Sequence, residues 1–362
     1  MRKGKLCLNA ILLMALLIFT VMSIVGCGTP TKTKADGTAK KEITIGRVIL
    51  SFDQPYQQAD MKASEAYAKE LGINLTLLDG KMDSNTIANA MSELIAKKVD
   101  GIIVQPLDGA AIDSSITEAH KAGIPVVTFF EKQKTTKAPY VRINEAKSSF
   151  ELGALAAKKW KEFYPDKPIF IGVVDQPEIA YVHENRALPF IEGVKSVDKD
   201  AKVAAMVAGG GLRDKAFAAA QDLLQAHPEA NIIYGINADS ALGALSAYQM
   251  AGRGKAKNGI PLTELIVGTD GTEPEILQII NPNSAYKITM ALQPAMNAKT
   301  LIDTCLKTIK GEYKMDEDKT VDTFDVIMDY WSYDVNKFQS FLKTQYFMDV
   351  DLKAELAKMV KE

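Results

Sequence analysis

Short apolar runs alternate with amphipathic stretches through the first part of the chain. Strand-like runs rich in β-branched residues occupy 43–50, 73–79, 101–106 and 124–130. Helical patterns separate them at 56–71, 84–98 and 109–122. In the second of these, Ile87, Met91 and Leu94 recur at three-to-four spacing, which predicts a helix with one buried face.

A second series of the same kind follows a strand-like segment at 140–143. Its predicted strands are 168–175, 201–209, 230–237 and 264–271, and its predicted helices are 147–163, 184–195, 214–226 and 240–251. Near-continuous apolar strands that alternate with helices are typical of parallel sheets covered on both faces. The sequence therefore predicts an α/β protein with two doubly wound, Rossmann-like parallel-sheet domains. Ligands of such sheets bind beyond the carboxyl ends of the strands.

The N-terminus has a different pattern. Arg2, Lys3 and Lys5 precede an apolar run at 6–25, which predicts an export signal over 1–26. A membrane-spanning anchor is the alternative, since the run approaches the ~20 residues that a bilayer requires. The ending Ile24-Val25-Gly26-Cys27 resembles the lipobox of bacterial lipoproteins, which implies a lipid-bearing (palmitate) Cys27. The polar stretch within 27–42 then predicts a flexible, lipid-tethered linker.

Composition excludes several classes of function. The 362 residues contain 43 Lys and Arg against 45 Asp and Glu, so no basic excess favours nucleic acid. Three His and three Cys exclude a multi-histidine metal centre and a disulfide framework. No serine-nucleophile, zinc-protease or phosphate-loop motif occurs. We therefore expect no enzyme, no catalytic residue, no metal and no cofactor, and we predict that Cys305 is buried in a helix.

Polar and aromatic residues follow the predicted strands in both series, at 51–57, 105–108, 129–131, 175–177, 237–239 and 269–271. Isolated acids such as Asp53, Asp108, Asp175 and Asp239 are more simply interpreted as helix or turn caps. An aromatic pair combined with amides and carboxylates from both halves instead favours a polar ligand cleft.

Three stretches carry a family resemblance: GIIVQPLDGAAIDSSITEAHKAGIPVVTFF (101–130), LLQAHPEANIIYGINADSALGALSAYQMAG (223–252) and VGTDGTEPEI (267–276). They resemble type I periplasmic-binding proteins of the ribose/galactose group, the solute receptors of sugar ABC transporters. The resemblance covers nearly all of 43–330. Related sugar-responsive repressors share the middle stretch, but they begin with a DNA-binding helix-turn-helix, whereas this chain begins with an export signal.

The resemblance implies a chain that crosses between its domains three times, forming a three-segment hinge with the ligand in the cleft. The N-terminal α/β domain would comprise 43–143 plus 293–323, and the C-terminal α/β domain 144–292 plus 324–362. The segment 331–362 extends past the usual end of the family.

The resemblance also implies a set of ligand-binding residues, which are Gln54, Tyr56, Gln57, Phe130, Glu131, Arg186, Asn237, Asp270 and Gln293. The ribose receptor has Asp-Arg where this chain has Phe130-Glu131, so a cation is missing and a neutral ligand is expected. The hinge Gln of the family falls at Leu292, and Gln293 is the candidate replacement.

The function expected from these features is capture of a neutral monosaccharide or polyol and its delivery to ABC permease subunits. The alternatives are a lipid-anchored receptor for a nucleoside or furanosyl signal, or a sensor subunit for a histidine kinase or chemoreceptor. The protein is expected to be a monomer that does not bind nucleic acid. Its expected location is outside the cytoplasm, lipid-anchored to the outer face of the cell membrane or to its periplasmic side.

Overall fold

The computed structural model of the chain describes residues 42–360. The predicted signal segment 1–26, the lipidation site Cys27 and nearly all of the linker 27–42 lie outside the described residues. Within the described part, no helix is both long enough and apolar enough to cross a membrane.

The strands, in chain order, are β1 (Thr44–Ile49), β2 (Asn74–Asp79), β3 (Gly101–Val104), β4 (Val126–Phe129), β5 (Tyr140–Ile143), β6 (Phe170–Asp175), β7 (Lys202–Ala208), β8 (Ile232–Gly235), β9 (Ala256–Lys257), β10 (Ile260–Pro261), β11 (Leu265–Asp270), β12 (Tyr286–Ala291), β13 (Thr320–Thr323) and β14 (Val326–Asp329).

The α-helices, in chain order, are α1 (Pro55–Leu71), α2 (Ser84–Ala96), α3 (Asp113–Lys121), α4 (Glu145–Phe163), α5 (Ala180–Val182), α6 (Leu188–Val197), α7 (Arg213–Ala226), α8 (Ala238–Met250), α9 (Glu273–Ile280), α10 (Pro294–Ile309), α11 (Val335–Gln345) and α12 (Leu352–Met359). A 3₁₀ turn (Ala110–Ile112) precedes α3, and a π-helix (His183–Ala187) joins α5 to α6.

Two six-stranded sheets organise the described residues. The first has the order β13-β5-β4-β3-β1-β2, and the second has the order β14-β12-β11-β8-β6-β7. We call the first sheet with its helices the first lobe, and the second sheet with its helices the second lobe. The prediction of two parallel-sheet α/β domains is confirmed.

The central strands of each sheet, such as β3 and β4 in the first and β8 and β11 in the second, are buried on both faces, as near-continuous apolar strands require. In β3, Ile102 and Val104 belong to the hydrophobic cluster that includes Leu94 of α2. Ile103 faces the opposite way, into the cluster that contains Cys305 of α10. Cys305 is fully buried, as predicted.

Two details differ from the expected pattern. Strand β14 pairs antiparallel with β12 at the edge of the second sheet. The helix predicted at 184–195 is instead divided between the π-helix and α6, and α5 precedes both. Pro189 lies in the first turn of α6. Proline has no N–H to donate to a preceding carbonyl, and in a continuous helix its ring would clash with the preceding turn.

The chain passes between the lobes at three places. After β5 it enters α4, which packs on α6 of the second lobe, and after β12 it enters α10, which packs on α1 of the first lobe. The third passage joins β13 to β14. The strand ends that carry the predicted site residues, such as those of β1, β4, β8 and β11, therefore face one another across the gap between the lobes.

Candidate functional site

A cavity lies where the carboxyl ends of the two sheets meet. It encloses about 760 Å³ of empty space, its open mouth included. Eight of the nine predicted ligand residues line it, namely Gln54, Tyr56, Gln57, Phe130, Glu131, Arg186, Asn237 and Asp270. Residues from both lobes therefore surround one space.

Three aromatic rings form one wall of the cavity. The Phe130 ring centroid lies 6.0 Å from that of Tyr56 and 5.9 Å from that of Tyr181, each pair in an edge-to-face arrangement. The Tyr56 hydroxyl accepts a hydrogen bond from Asn297 (2.9 Å), and the Tyr181 hydroxyl donates to the carbonyl of Ile143 (3.2 Å). Tyr181 belongs to the second lobe, so the wall spans both lobes and can cover the apolar C–H face of a ring-shaped ligand.

The backbone of Phe130 is in an unusual conformation. Its φ is +62°, a left-handed value that is uncommon for residues other than glycine. The Tyr140 hydroxyl donates to the Phe130 carbonyl, which fixes this peptide. Strained backbone of this kind costs about 1–3 kcal/mol and concentrates at functional sites.

Arg186 is held by a carboxylate that the sequence analysis did not include. Its Nε and one terminal nitrogen donate to the two carboxylate oxygens of Glu145, at 3.0 and 2.7 Å. Another terminal nitrogen donates to the Ile236 carbonyl (2.9 Å) and lies 3.6 Å from Asp270 Oδ1. Burial alone would lower the pKa of Arg186, but the charge of Glu145, its hydrogen bonds and the charge of Asp270 together outweigh burial and raise that pKa. The charge of Arg186 is thus neutralised chiefly by Glu145.

Asp270 is the last residue of β11 and has a φ of +112°. Its Oδ2 accepts from the Ala238 backbone N–H (3.1 Å). Its carbonyl oxygen accepts from the Leu292 N–H (2.9 Å) and from the Tyr346 hydroxyl (2.8 Å). Burial raises the pKa of Asp270 to about 7, and the charge of Arg186 offsets only part of that rise.

Two buried amides line the cavity with an unused acceptor each. The Oε1 atoms of Gln57 and Gln105 are buried and have no hydrogen-bond partner among residues 42–360. An unpaired buried acceptor costs about 1–3 kcal/mol. Both positions therefore favour a ligand that supplies hydrogen-bond donors.

Asn237 serves as the N-cap of α8. Its Oδ1 accepts from the Ser240 N–H (2.8 Å), and its Nδ2 donates to the Gly211 carbonyl (3.0 Å). Because an amide nitrogen carries two hydrogens, one donor remains for a ligand. The contribution of Asn237 to ligand contact stays a prediction.

Two other predicted residues have partners outside the ligand space. Glu131 lines the cavity and forms an ion pair with Lys134 (2.7 Å). Gln293 is not among the lining residues, since its amide donates to the Phe324 carbonyl at the third passage (2.8 Å). Leu292 lines the cavity instead. Gln293 lies at the passage from β12 to α10 and contacts the third passage rather than the ligand.

The predicted set of ligand-binding residues omitted Glu145, Tyr181 and Gln105. Glu145 and Arg186 are 41 positions apart, so no local pattern links them. Gln105 directly follows β3 and belongs to the stretch 105–108, which the strand-end pattern already marks as part of a polar cleft, because residues at that point face the ligand space in such sheets.

The electrostatics of the cavity favour a neutral ligand. Arg186 is the one cationic side chain among the described lining residues, and Glu145 already neutralises it. The lining also carries Glu131, Asp239 and Asp270. Within residues 42–360, no three His, Cys, Asp or Glu side chains are grouped so that they could hold a metal ion.

Two lobes of parallel sheet with a cavity at the carboxyl ends of their strands define a type I solute-binding protein. The chain belongs to the periplasmic binding protein domain family, whose sequence model matches residues 45–313. The relatives of this chain belong to the ribose/galactose group, which the three stretches of its sequence resemble.

Two relatives and one solved structure illustrate this similarity. The ribose import binding protein of Bacillus subtilis (strain 168) is 25% identical over 317 residues, covering 85% of this chain and 94% of the relative. The D-ribose/D-allose-binding protein of Pseudomonas aeruginosa (strain PAO1) is 25% identical over 320 residues, covering 84% and 91%. The binding protein of the arabinose ABC transporter of Shewanella sp. ANA-3, bound to α- and β-L-arabinofuranose, superposes with a TM-score of 0.70 at 22% identity, covering 87% and 98%.

Proposed function

We propose that the protein is an extracytoplasmic solute-binding protein that captures a neutral monosaccharide or polyol between its lobes and delivers it to an ABC permease. The observation that carries this proposal is the lining of the cavity, where an aromatic wall faces buried amides with unused acceptors. The relatives named for ribose and for ribose and allose support the same class of ligand.

We propose that different residues contact the apolar C–H face of the sugar and the hydroxyl groups around its edge. Tyr56, Phe130 and Tyr181 cover the C–H face, while Gln57 and Gln105 accept from hydroxyl groups. Asp270 and Arg186 add charge-assisted hydrogen bonds of about 1.5–3 kcal/mol each. An anionic ligand would meet carboxylates and an already neutralised guanidinium, so it is disfavoured.

The two lobes would move as separate bodies, comprising 43–143 plus 293–323 and 144–292 plus 324–362. Closure would occur about the three passages, as in other two-lobed binders. The closed form would present both lobes to the permease, so that ligand capture and delivery depend on one motion.

Three further features belong to this proposal. The protein would bind its ligand without converting it and would act as a monomer. It would be exported and held at the membrane by lipid on Cys27, with 27–42 as the tether. The support for anchoring is the sequence around Cys27, which follows an apolar run.

A thermal-shift screen on the chain from residue 42 onwards would test the ligand class. The probes are D-ribose, D-allose, L-arabinose, myo-inositol, adenosine and, as an anion, D-ribose 5-phosphate. A ligand at 100 times its Kd stabilises the native state by about 2.7 kcal/mol, so we expect a shift of several degrees with a neutral sugar or polyol.

A matched pair of variants localises the binding. Gln105→Ala should reduce or remove the shift, whereas Asp108→Ala should keep it, because Asp108 is exposed and accepts from the Ala110 N–H in a turn (2.9 Å). A shift with the phosphate ester alone would contradict the neutral-ligand proposal, and a shift with adenosine alone would favour a nucleoside receptor.

A further inference from the structure

The C-terminal segment, residues 331–360, lies beyond the stretch that matches the family. It contains α11 and α12, which pack against α9 of the second lobe. Phe338, Leu342 and Leu352 are fully buried within the hydrophobic cluster of that lobe. The segment is therefore an integral part of the second lobe.

Tyr346, which follows α11, contacts Asp270, a residue that lines the ligand cavity. Its side chain is almost fully buried, and its hydroxyl donates to the Asp270 carbonyl oxygen (2.8 Å). The same oxygen accepts from the Leu292 N–H (2.9 Å). With a φ of +112°, Asp270 holds a conformation that persists only where surrounding contacts impose it.

The same segment also contacts the first lobe. Gln345 Oε1 accepts a long hydrogen bond from the Met296 N–H (3.4 Å), a group in the first turn of α10 that has no partner within its own helix. Tyr346 and Met348 border a second cavity, and Ala59 and Lys62 of α1 line its opposite side. The segment thus touches both lobes and contacts the lining of the ligand cavity at Asp270.

We infer that Tyr346 is a positioning residue for the ligand site, because it holds the Asp270 peptide so that the carboxylate faces the cavity. Through Gln345, the C-terminal segment adds a contact between the lobes besides the three passages. The inference rests on the proposed function in one respect, namely that Asp270 contacts the ligand.

The decisive variant is Tyr346→Phe, which removes one hydroxyl and keeps the ring. The matched control is Tyr333→Phe in the same segment, where the ring packs on Phe338 (5.4 Å) and the neighbouring carboxylate is Asp329. Calorimetry with D-ribose and with myo-inositol should show a five- to tenfold weaker Kd for Tyr346→Phe. The control should stay within twofold of the wild type.

A double-mutant cycle separates positioning from a general structural effect. In an Asp270→Ala background, Tyr346→Phe should weaken binding less than twofold, since the side chain that it positions is absent. An equal loss in both backgrounds, or no loss in the wild-type background, would overturn the inference.

A ligand-free measurement keeps this test independent of the proposed function. Hydrogen exchange should be faster at the Leu292 amide in Tyr346→Phe than in the wild type or in Tyr333→Phe, because Asp270 is held less firmly. Unchanged exchange would overturn the inference even if sugar binds. If neither probe binds the wild type but this exchange increases, the proposed ligand class fails and the role of Tyr346 stands. Should Tyr346→Phe not fold, Gln345→Ala serves as the second variant, with the same expected direction in exchange at α10.

Discussion

The buried carboxyl of Asp270 should make the stability of the protein depend on pH. Its pKa is raised from 3.8 to about 7, chiefly by burial. Below pH 3.8 both the folded and the unfolded chain hold this proton, so the group does not change the free energy of unfolding. As the pH rises towards 7, the unfolded chain releases the proton while the folded chain retains it, so stability falls.

The expected loss between pH 4 and pH 7 is on the order of 4 kcal/mol, from 1.36 kcal/mol for each pH unit that separates the two pKa values. The Asp270 side chain is 13% exposed, so water reduces the effect and this figure is an upper limit. Burial also raises the pKa of Glu275, and Asp270 adds to that rise. Replacing Asp270 should therefore lessen both contributions.

Urea unfolding of wild type and Asp270→Asn at pH 4, 5, 6, 7 and 8 provides the assay. The free energy of unfolding of the wild type should decline over this range, and the decline should be markedly smaller in Asp270→Asn. Asp108→Asn is the control, because its side chain is exposed to solvent, and it should follow the wild type. Parallel profiles for wild type and Asp270→Asn would refute the reasoning.

Three further predictions address the ligand wall, the motion and the anchor. Phe130→Ala should weaken sugar binding by about 1–2 kcal/mol in calorimetry, because apolar contact is lost but no polar group is left unpaired; a larger loss would point to a collapsed wall. Small-angle scattering should show a smaller radius of gyration on saturation with the cognate sugar, and an unchanged value would argue for a rigid binder. Cys27→Ser should abolish fatty-acid labelling, and equal labelling of wild type and variant would exclude lipid at this position.

The hydrophobic pattern was sufficient to predict the two sheets, because parallel strands are buried on both faces. The strands around Ile103 and Val173 could be recognised as short apolar runs between helices. The edge strand β13 is partly exposed and carries little apolar sequence, so no hydrophobic run marks it as a strand. The direction of β14 could not be predicted either, because direction depends on which neighbour a strand pairs with.

The part of the site that lies at strand ends could be predicted from the sequence. Residues at or just after strand ends, such as Phe130, Asn237 and Asp270, all lie in the cavity lining. Tyr346 could not be found in this way, because it follows a helix and acts on the Asp270 carbonyl from 76 positions away. Contacts through backbone atoms leave no residue-type signal in a single sequence.

Glu145 shows most clearly what sequence reasoning lacked, because it neutralises the Arg186 guanidinium from 41 positions away. Removing one member of a buried ion pair costs about 3–5 kcal/mol, because the other charge stays buried without compensation. Glu145→Gln should therefore lower the free energy of unfolding by that amount in urea. Glu151→Gln on the same helix is the control, since Glu151 is about half exposed and pairs with Lys147 at 3.5 Å, and it should change stability by less than about 1 kcal/mol. Similar losses in the two variants would mean that solvent, rather than Glu145, compensates the charge of Arg186.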